Sequence, residues 1–234
     1  MAGTYADALN IKNAGITIIG PNYGIKGNGE RVTEAIITGA VTINAANVTM
    51  DGLQFQDQAS TKIHKPYFTA KNNRYLDEPV KIDNCNRCGQ ITGGDTQDSD
   101  VSNIVIMDNY FCVPGSNGDY QHQALSFDKV TNLTLTGNYI TNEADSVGTA
   151  NTENVMIYSP EGEVIISNNE FHLYGDNACL RMGFYGINTT KLLIKDNLFT
   201  GNTPNGACGG IMLEGISEGV VVEIIGNTME SKNE

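Results

Sequence analysis

Few side chains in this chain could do chemistry: it has three histidines, 14 Lys and Arg, 27 Asp and Glu, and no Trp. Arg181 sits among apolar neighbours in Cys-Leu-Arg-Met (179–182), so a strand there would turn it away from a core. Such a guanidinium could neutralise a substrate carboxylate, and His122 or His172 could move a proton. Together these are parts of an elimination from a uronic acid. Tyr158 and Tyr174 offer rings for the apolar faces of sugars, while Asp128, Asp176 and Glu214 offer acceptors for hydroxyls.

Metal chemistry has thinner support. Asp95, Asp98 and Asp100 follow Gly93-Gly94 and could hold calcium through hard oxygen ligands, but they lack the spacing of a regular calcium loop. No cofactor is required by any pattern in the chain. Cys85 and Cys88 have the spacing of half a zinc knuckle, with no second pair to complete it. The five cysteines are odd in number and widely spaced, so they read as small buried hydrophobes rather than a disulfide framework.

A net charge of −13 with no cluster of bases excludes nucleic acid and an anionic membrane surface as partners. No apolar run reaches the ~18 residues of a membrane span, and Met-Ala-Gly-Thr-Tyr does not open a signal peptide.

The elements that must position these residues are short strands. The chain holds 23 Ile and 14 Val against 12 Leu, with 27 Asn and 26 Gly, which favours strands and tight corners over helices. An internal repeat organises them: a short apolar segment closes on a pair of Gly, Asp or Asn, with an apolar or aromatic residue two positions later. The closing positions are 21, 52, 73, 109, 138, 169, 197 and 227, a mean step of about 29 residues. One step is short and the next long, which suggests a displaced loop or a misaligned third copy. Two or three strands per ~29 residues fit one coil of a parallel β-helix and fall short of a four-stranded propeller blade. The sequence therefore predicts an all-β, single-stranded right-handed parallel β-helix of seven to eight coils, residues 1–234 forming one domain. Recurring Asn at one corner predicts stacked amide ladders.

The motifs Ile-Ile-Ser-Asn-Asn-Glu-Phe (165–171), Leu-Ile-Lys-Asp-Asn-Leu-Phe (193–199) and Val-Ile-Met-Asp-Asn-Tyr-Phe (105–111) resemble the β-helix repeat of the pectate-lyase-like superfamily. The opening segment, 3–20, resembles the first coil of secreted bacterial members. The resemblance covers nearly the whole chain and implies the fold more sharply than the activity, because the superfamily spans lyases, hydrolases, esterases, tailspikes and non-catalytic surface proteins. Against the polygalacturonase pattern the nearest match is Asn151-Thr152-Glu153, with no Asp-Asp and no Gly-His-Gly. The pectinesterase segments are missing, and no motif fixes a lyase base.

Strand alternation nominates an exposed stripe. If Leu125, Phe127, Val155, Ile157, Leu180, Met182, Ile211 and Leu213 point inward, then Ser126, Asp128, Met156, Tyr158, Arg181, Met212 and Glu214 point outward. Loops at 112–123 and 172–178 would add Asp119, Tyr120, His122, His172, Tyr174 and Asp176 to that border. Asp128 and Glu214 would lie three strands apart, roughly 14 Å. That exceeds the ~9.5 Å limit for a hydrolytic carboxylate pair.

The expected function is polysaccharide binding along this face by a secreted or cell-surface segment of a longer protein, with no complete catalytic set. A lyase acting on a uronic-acid glycan, and a structural segment of an adhesin or tailspike, stand as alternatives. If the chain is an enzyme, a lyase is favoured over a hydrolase or a pectinesterase. No capping helix is visible, so uncapped coils could pair end to end.

Overall fold

Residues such as Asn72, Asp108, Asn168 and Asp196 sit at φ between 53° and 57°, and Gly52, Gly137 and Gly226 at φ between 66° and 71°. Each supplies the left-handed residue that turns the chain sharply between two strands, which Asn, Asp and Gly do at least cost. The fold is this corner repeated. A computed structural model describes residues 1–77, 80–81, 87–94, 100–113, 121–142, 153–174, 178–184, 188–202 and 210–231. Among them there is no helix, and hence none long and apolar enough to cross a membrane.

Three parallel sheets wind into a right-handed β-solenoid. The chain visits them in a fixed order, here sheet A, sheet B and sheet C. Sheet A has nine strands, sheet B eight in its main stack, and sheet C eight. About six turns carry the complete corner motif, fewer than the seven to eight coils expected from the repeat. The first two closing segments lack its asparagine: Gly20-Pro21 and Gly52-Leu53 stand there instead.

Register settles the irregular spacing. Val48–Asp51 pairs with Phe68–Lys71, and Thr69 with Val105, so the third copy is correctly aligned. The true partner of Asn73 in the preceding coil is Leu53, one residue beyond the predicted position 52. The long step that follows contains an antiparallel excursion, Val80–Lys81 against Cys88–Gly89. A short coil and an excursion together produce the uneven steps.

The interior is filled in columns. From sheet A, Phe55, Tyr75 and Phe111 stack with centroids 4.5 and 4.7 Å apart and rings within 8° of parallel. Phe171 and Phe199 stack at 4.8 Å. These are the aromatic residues two positions past each corner, and they are essentially fully buried. Sheet B contributes Leu125, Phe127, Val155, Ile157, Leu180 and Met182, all buried as alternation predicts, while Ile211 and Leu213 are partly buried against the same core. Cys179 is buried too, its Sγ 3.8 Å from the Thr200 carbonyl, in keeping with a small hydrophobe. Cys85 lies outside the described residues.

At the sheet C to sheet A corner the asparagines form a ladder. Asn109, Asn138 and Asn169 each donate from both backbone N and Nδ2 to the Oδ1 of the next asparagine, at 2.9–3.0 Å. Each Nδ2 also reaches a carbonyl of the preceding coil, Ala70, Ile106 and Leu135 respectively. The ladder runs from Asn73 to Asn227. It satisfies the buried backbone N–H groups that a turn without strand pairing would strand.

Candidate functional site

The nominated stripe is the outer side of sheet B. Register places Thr92, Ser126, Met156, Arg181 and Met212 in one column. The next column runs Tyr158, Gly183, Glu214. The expectation of an exposed stripe needs correction at two of its seven positions: Ser126 and Met156 are buried, as is Thr92 beside them. The rest of the stripe is partly exposed: Asp128, and then Tyr158, Arg181, Met212 and Glu214, which lie together.

Arg181 organises this opening. Its Nη1 donates to Glu153 Oε1 at 3.1 Å and its Nη2 to Glu214 Oε1 at 3.2 Å. Its guanidinium lies 6.0 Å from the centre of the Tyr158 ring. Glu153 is fully buried and takes a second bond from Gln123 Nε2 at 3.0 Å. One residue from each of four successive sheet B coils is thus joined: Gln123, Glu153, Arg181 and Glu214. Burial drives the Glu153 carboxyl above its ordinary value, against the lowering effect of its bonds to Arg181 and Gln123. For Arg181 burial works against the charge, yet Glu153, Tyr158 and Glu214 outweigh it and hold the guanidinium more firmly protonated. Four buried polar atoms on this side have no hydrogen-bond partner among the described residues: Thr92 Oγ1, Gln123 Oε1, Ser126 Oγ and Arg181 Nε.

The other nominated residues separate. His122 is buried in strand Gln121–Phe127, in register with Cys88. Two strand steps and four residues along the strand put it roughly 16 Å from the Arg181 backbone. His172 is not in a loop beside sheet B: it belongs to strand Glu170–Tyr174 of sheet A. The corner at Asn168-Asn169 has already turned the chain onto another face, which alternation within sheet B cannot reveal. The trio Arg181, His122 and His172 therefore does not converge. Asp128 and Glu214 share a column three strand steps apart, as expected, and form no hydrolytic pair.

His172 instead ends a row on the outside of sheet A. Tyr110 and Tyr139 stack at 5.5 Å, Tyr139 and His172 at 4.6 Å, and Arg74 lies 5.6 Å from the Tyr110 ring. His172 Nδ1 lies 2.7 Å from Thr200 Oγ1. Burial first, then Cys112 and Tyr139, push the Tyr110 phenol up to about 12 against the lowering effect of Arg74. The faces of these rings are occupied by one another, so the row presents edges rather than a platform for a sugar.

Among the described residues no group of three or more His, Cys, Asp or Glu could hold a metal. Asp95, Asp98, Asp119, Tyr120 and Asp176 lie outside the described residues. Asp100 is exposed and accepts a bond from Ser102 Oγ at 2.8 Å. Tyr174 ends its strand, paired with Asn202.

The residue that sequence reasoning missed is Glu153. It was weighed only as a departure from an Asn-Thr-Asp pattern, whereas its partner Arg181 lies one coil later and 28 residues away. No protein-family model matches the chain, and neither a curated protein nor a solved structure matches it. The fold itself is a parallel β-solenoid.

Proposed function

We propose that this chain is a secreted or cell-surface β-solenoid, similar to the pectate-lyase-like superfamily, that binds polysaccharide on the open part of sheet B around Tyr158, Arg181 and Glu214. The observation that carries this reading is the Glu153–Arg181–Glu214 bridge. It fixes a guanidinium and a carboxylate beside a half-buried tyrosine, with no acceptor for Arg181 Nε among the described residues. Rigid polar groups beside an aromatic ring suit a ligand rich in hydroxyls and apolar ring faces. The same bridge weighs against the lyase alternative: two carboxylates already offset Arg181, leaving it little attraction for a uronate, and neither histidine is within reach as a base. Calcium is not needed for this reading.

Titration of the chain against a panel of neutral and uronic-acid polysaccharides tests it. Arg181→Ala and Tyr158→Ala should each weaken binding about tenfold, the size of one lost charge-assisted bond or ring contact. Equal affinity in both variants would move the site elsewhere. Failure of the unmodified chain to bind any glycan would favour the structural-segment alternative. Release of unsaturated uronides, followed by ultraviolet absorbance, would restore the lyase.

A further inference from the structure

Sheet C carries a feature that the sheet B reading leaves unused. At or just before the start of five consecutive sheet C strands, from Val48–Asp51 to Pro160–Ser167, the chain also holds a left-handed residue. Asn47, Asn103 and Asn132 occupy it at φ of 55–57°, and Gly162 at 65°. In the coil between Asn47 and Asn103 the residue is Tyr67, at φ 60°. A bulky side chain is a rare choice there, because its Cβ crowds the backbone in this conformation. Nothing in the core requires the ring, which is 53% exposed. A strained backbone holding an exposed aromatic ring points to a use for that ring.

Beside it lies a trough of about 400 Å³, lined by Asn47, Thr49, Tyr67, Thr69, Asn103 and Thr134 among others, and by no charged side chain. Register sets Thr49, Thr69, Val105 and Thr134 in one column, one residue per coil. These side chains are half-buried, and the three threonine hydroxyls form no hydrogen bond among the described residues. Hydroxyls and methyls therefore repeat at the ~4.8 Å strand spacing, with a tyrosine ring to one side. The volume falls within the ordinary range for small-ligand sites.

We propose that this trough is a second carbohydrate site, taking a short stretch of neutral glycan with one sugar ring against Tyr67. Threonine and asparagine side chains both donate and accept, as sugar hydroxyls do. The uncharged lining selects among sugars. On a chain of net charge −13, a trough with no base has nothing to compensate a uronate or a sulfate. The site lies on a different sheet from Arg181 and stands or falls apart from it.

The test is affinity electrophoresis and calorimetry of the full chain with neutral polymers (a mixed-linkage β-glucan, a galactomannan and starch) and with polygalacturonate. The variants are Tyr67→Asn, Thr69→Val and Arg181→Ala. Asn is the residue found at three equivalent corners, so Tyr67→Asn should fold with a Tm no lower than the parent. It should bind the neutral polymer at least about tenfold more weakly, the size of a lost ring contact. Thr69→Val should weaken binding less, and in an Arg181→Ala background, which removes the sheet B contribution, Tyr67→Asn should still lower the remaining neutral-glycan affinity about tenfold. Undiminished binding by Tyr67→Asn, or a Tm several degrees lower in that variant, would overturn the proposal. So would loss of neutral-glycan binding in Arg181→Ala alone, which would place the ligand on sheet B, and so would binding of polygalacturonate only.

Discussion

At Glu153 a single residue bears opposing demands. Its carboxyl is fully buried, which favours the protonated form, while Arg181 and Gln123 favour the anion, and burial prevails. The folded-state pKa is therefore raised above the ordinary 4.5. Between that value and the raised one the folded chain binds more protons than the unfolded chain, so the contribution of Glu153 to stability falls as pH rises through this window. Above the window the full cost persists. Glu153→Gln removes the titration, so the stability of the parent relative to this variant should decline from about pH 4.5 upward and then level. Urea unfolding across that range measures it, and parallel profiles would show that Glu153 keeps its ordinary pKa. The ladder asparagines present the contrasting case, with every polar atom satisfied. Asn169→Ala would strand the Asn138 N–H and remove the Nδ2 donor to the Leu135 carbonyl, while Asn138 Nδ2 keeps Ile106 and Thr136 and Asn197 Oδ1 keeps the N–H of residue 169. At roughly 1–3 kcal/mol per stranded buried group, with two such groups partly relieved by water, the expected loss is about 2–4 kcal/mol. A shift of urea midpoint with an unchanged m-value would report it.

The segment 20–34 acts as a strap across three coils. Arg31, with only 2% of its side chain exposed, pairs with Glu34 at 2.6 Å. It also donates to the carbonyls of Ile25, Leu53 and Asn72. Gly27 presses so closely on the next coil that a Cβ there would lie 2.2 Å from the Tyr110 nitrogen, and its own N–H bonds the Asp108 carbonyl. Removing Arg31 alone would leave Glu34, half-buried against Asn22, without its cation. Arg31→Ala should therefore cost about 3–5 kcal/mol and open 20–34 to proteases, whereas Arg31→Leu with Glu34→Leu should recover part of that loss. Equal stability of the single and double variants would show that the ion pair is not what holds the strap. This strap was invisible in the sequence, because Arg31 answers to residues 22 and 41 positions away through loop geometry rather than periodicity. The corners were legible for the opposite reason. A left-handed Asn, Asp or Gly followed by a ladder Asn and, two residues on, a core aromatic is a local code fixed by backbone sterics. Arg181 was legible as an outward residue between Leu180 and Met182, but its partners were not. The linked residues Gln123, Glu153, Arg181 and Glu214 are spaced by coils of 28 to 33 residues whose loops vary freely. His172 was misplaced because the ladder corner starts a third sheet immediately, where the repeat by itself suggested a loop.

Across the whole molecule, cohesion is passed from coil to neighbouring coil. Apart from the Val80–Lys81 excursion, every strand pairing among the described residues joins successive turns, so stability is close to a sum of intrinsic and nearest-neighbour terms along one axis. The middle turns have partners on both sides in all three sheets. Among the described residues the outermost strands are paired on one side only: Gly3–Tyr5, Leu9–Ile11 and Thr17–Ile19 at one end, Ile211–Glu214, Val221–Ile225 and Thr228–Ser231 at the other. The apolar columns run out into solvent there, with Ile19 54%, Val221 55%, Ile225 51% and Met229 58% exposed. Local opening free energy should therefore rise from both ends toward the centre. In hydrogen exchange of this chain, amides of Ser102–Met107, Val130–Thr136 and the strand Pro160–Ser167 after its proline, at the middle of sheet C, should exchange most slowly. Those of Thr17–Ile19 and Val221–Ile225, in the same sheet, should exchange fastest. If the end strands were covered by a second copy stacking on them, their protection would rise with protein concentration while the central strands stayed constant. Protection that is uniform along the stack at every concentration would mean that the solenoid opens as one unit, and would refute the nearest-neighbour account.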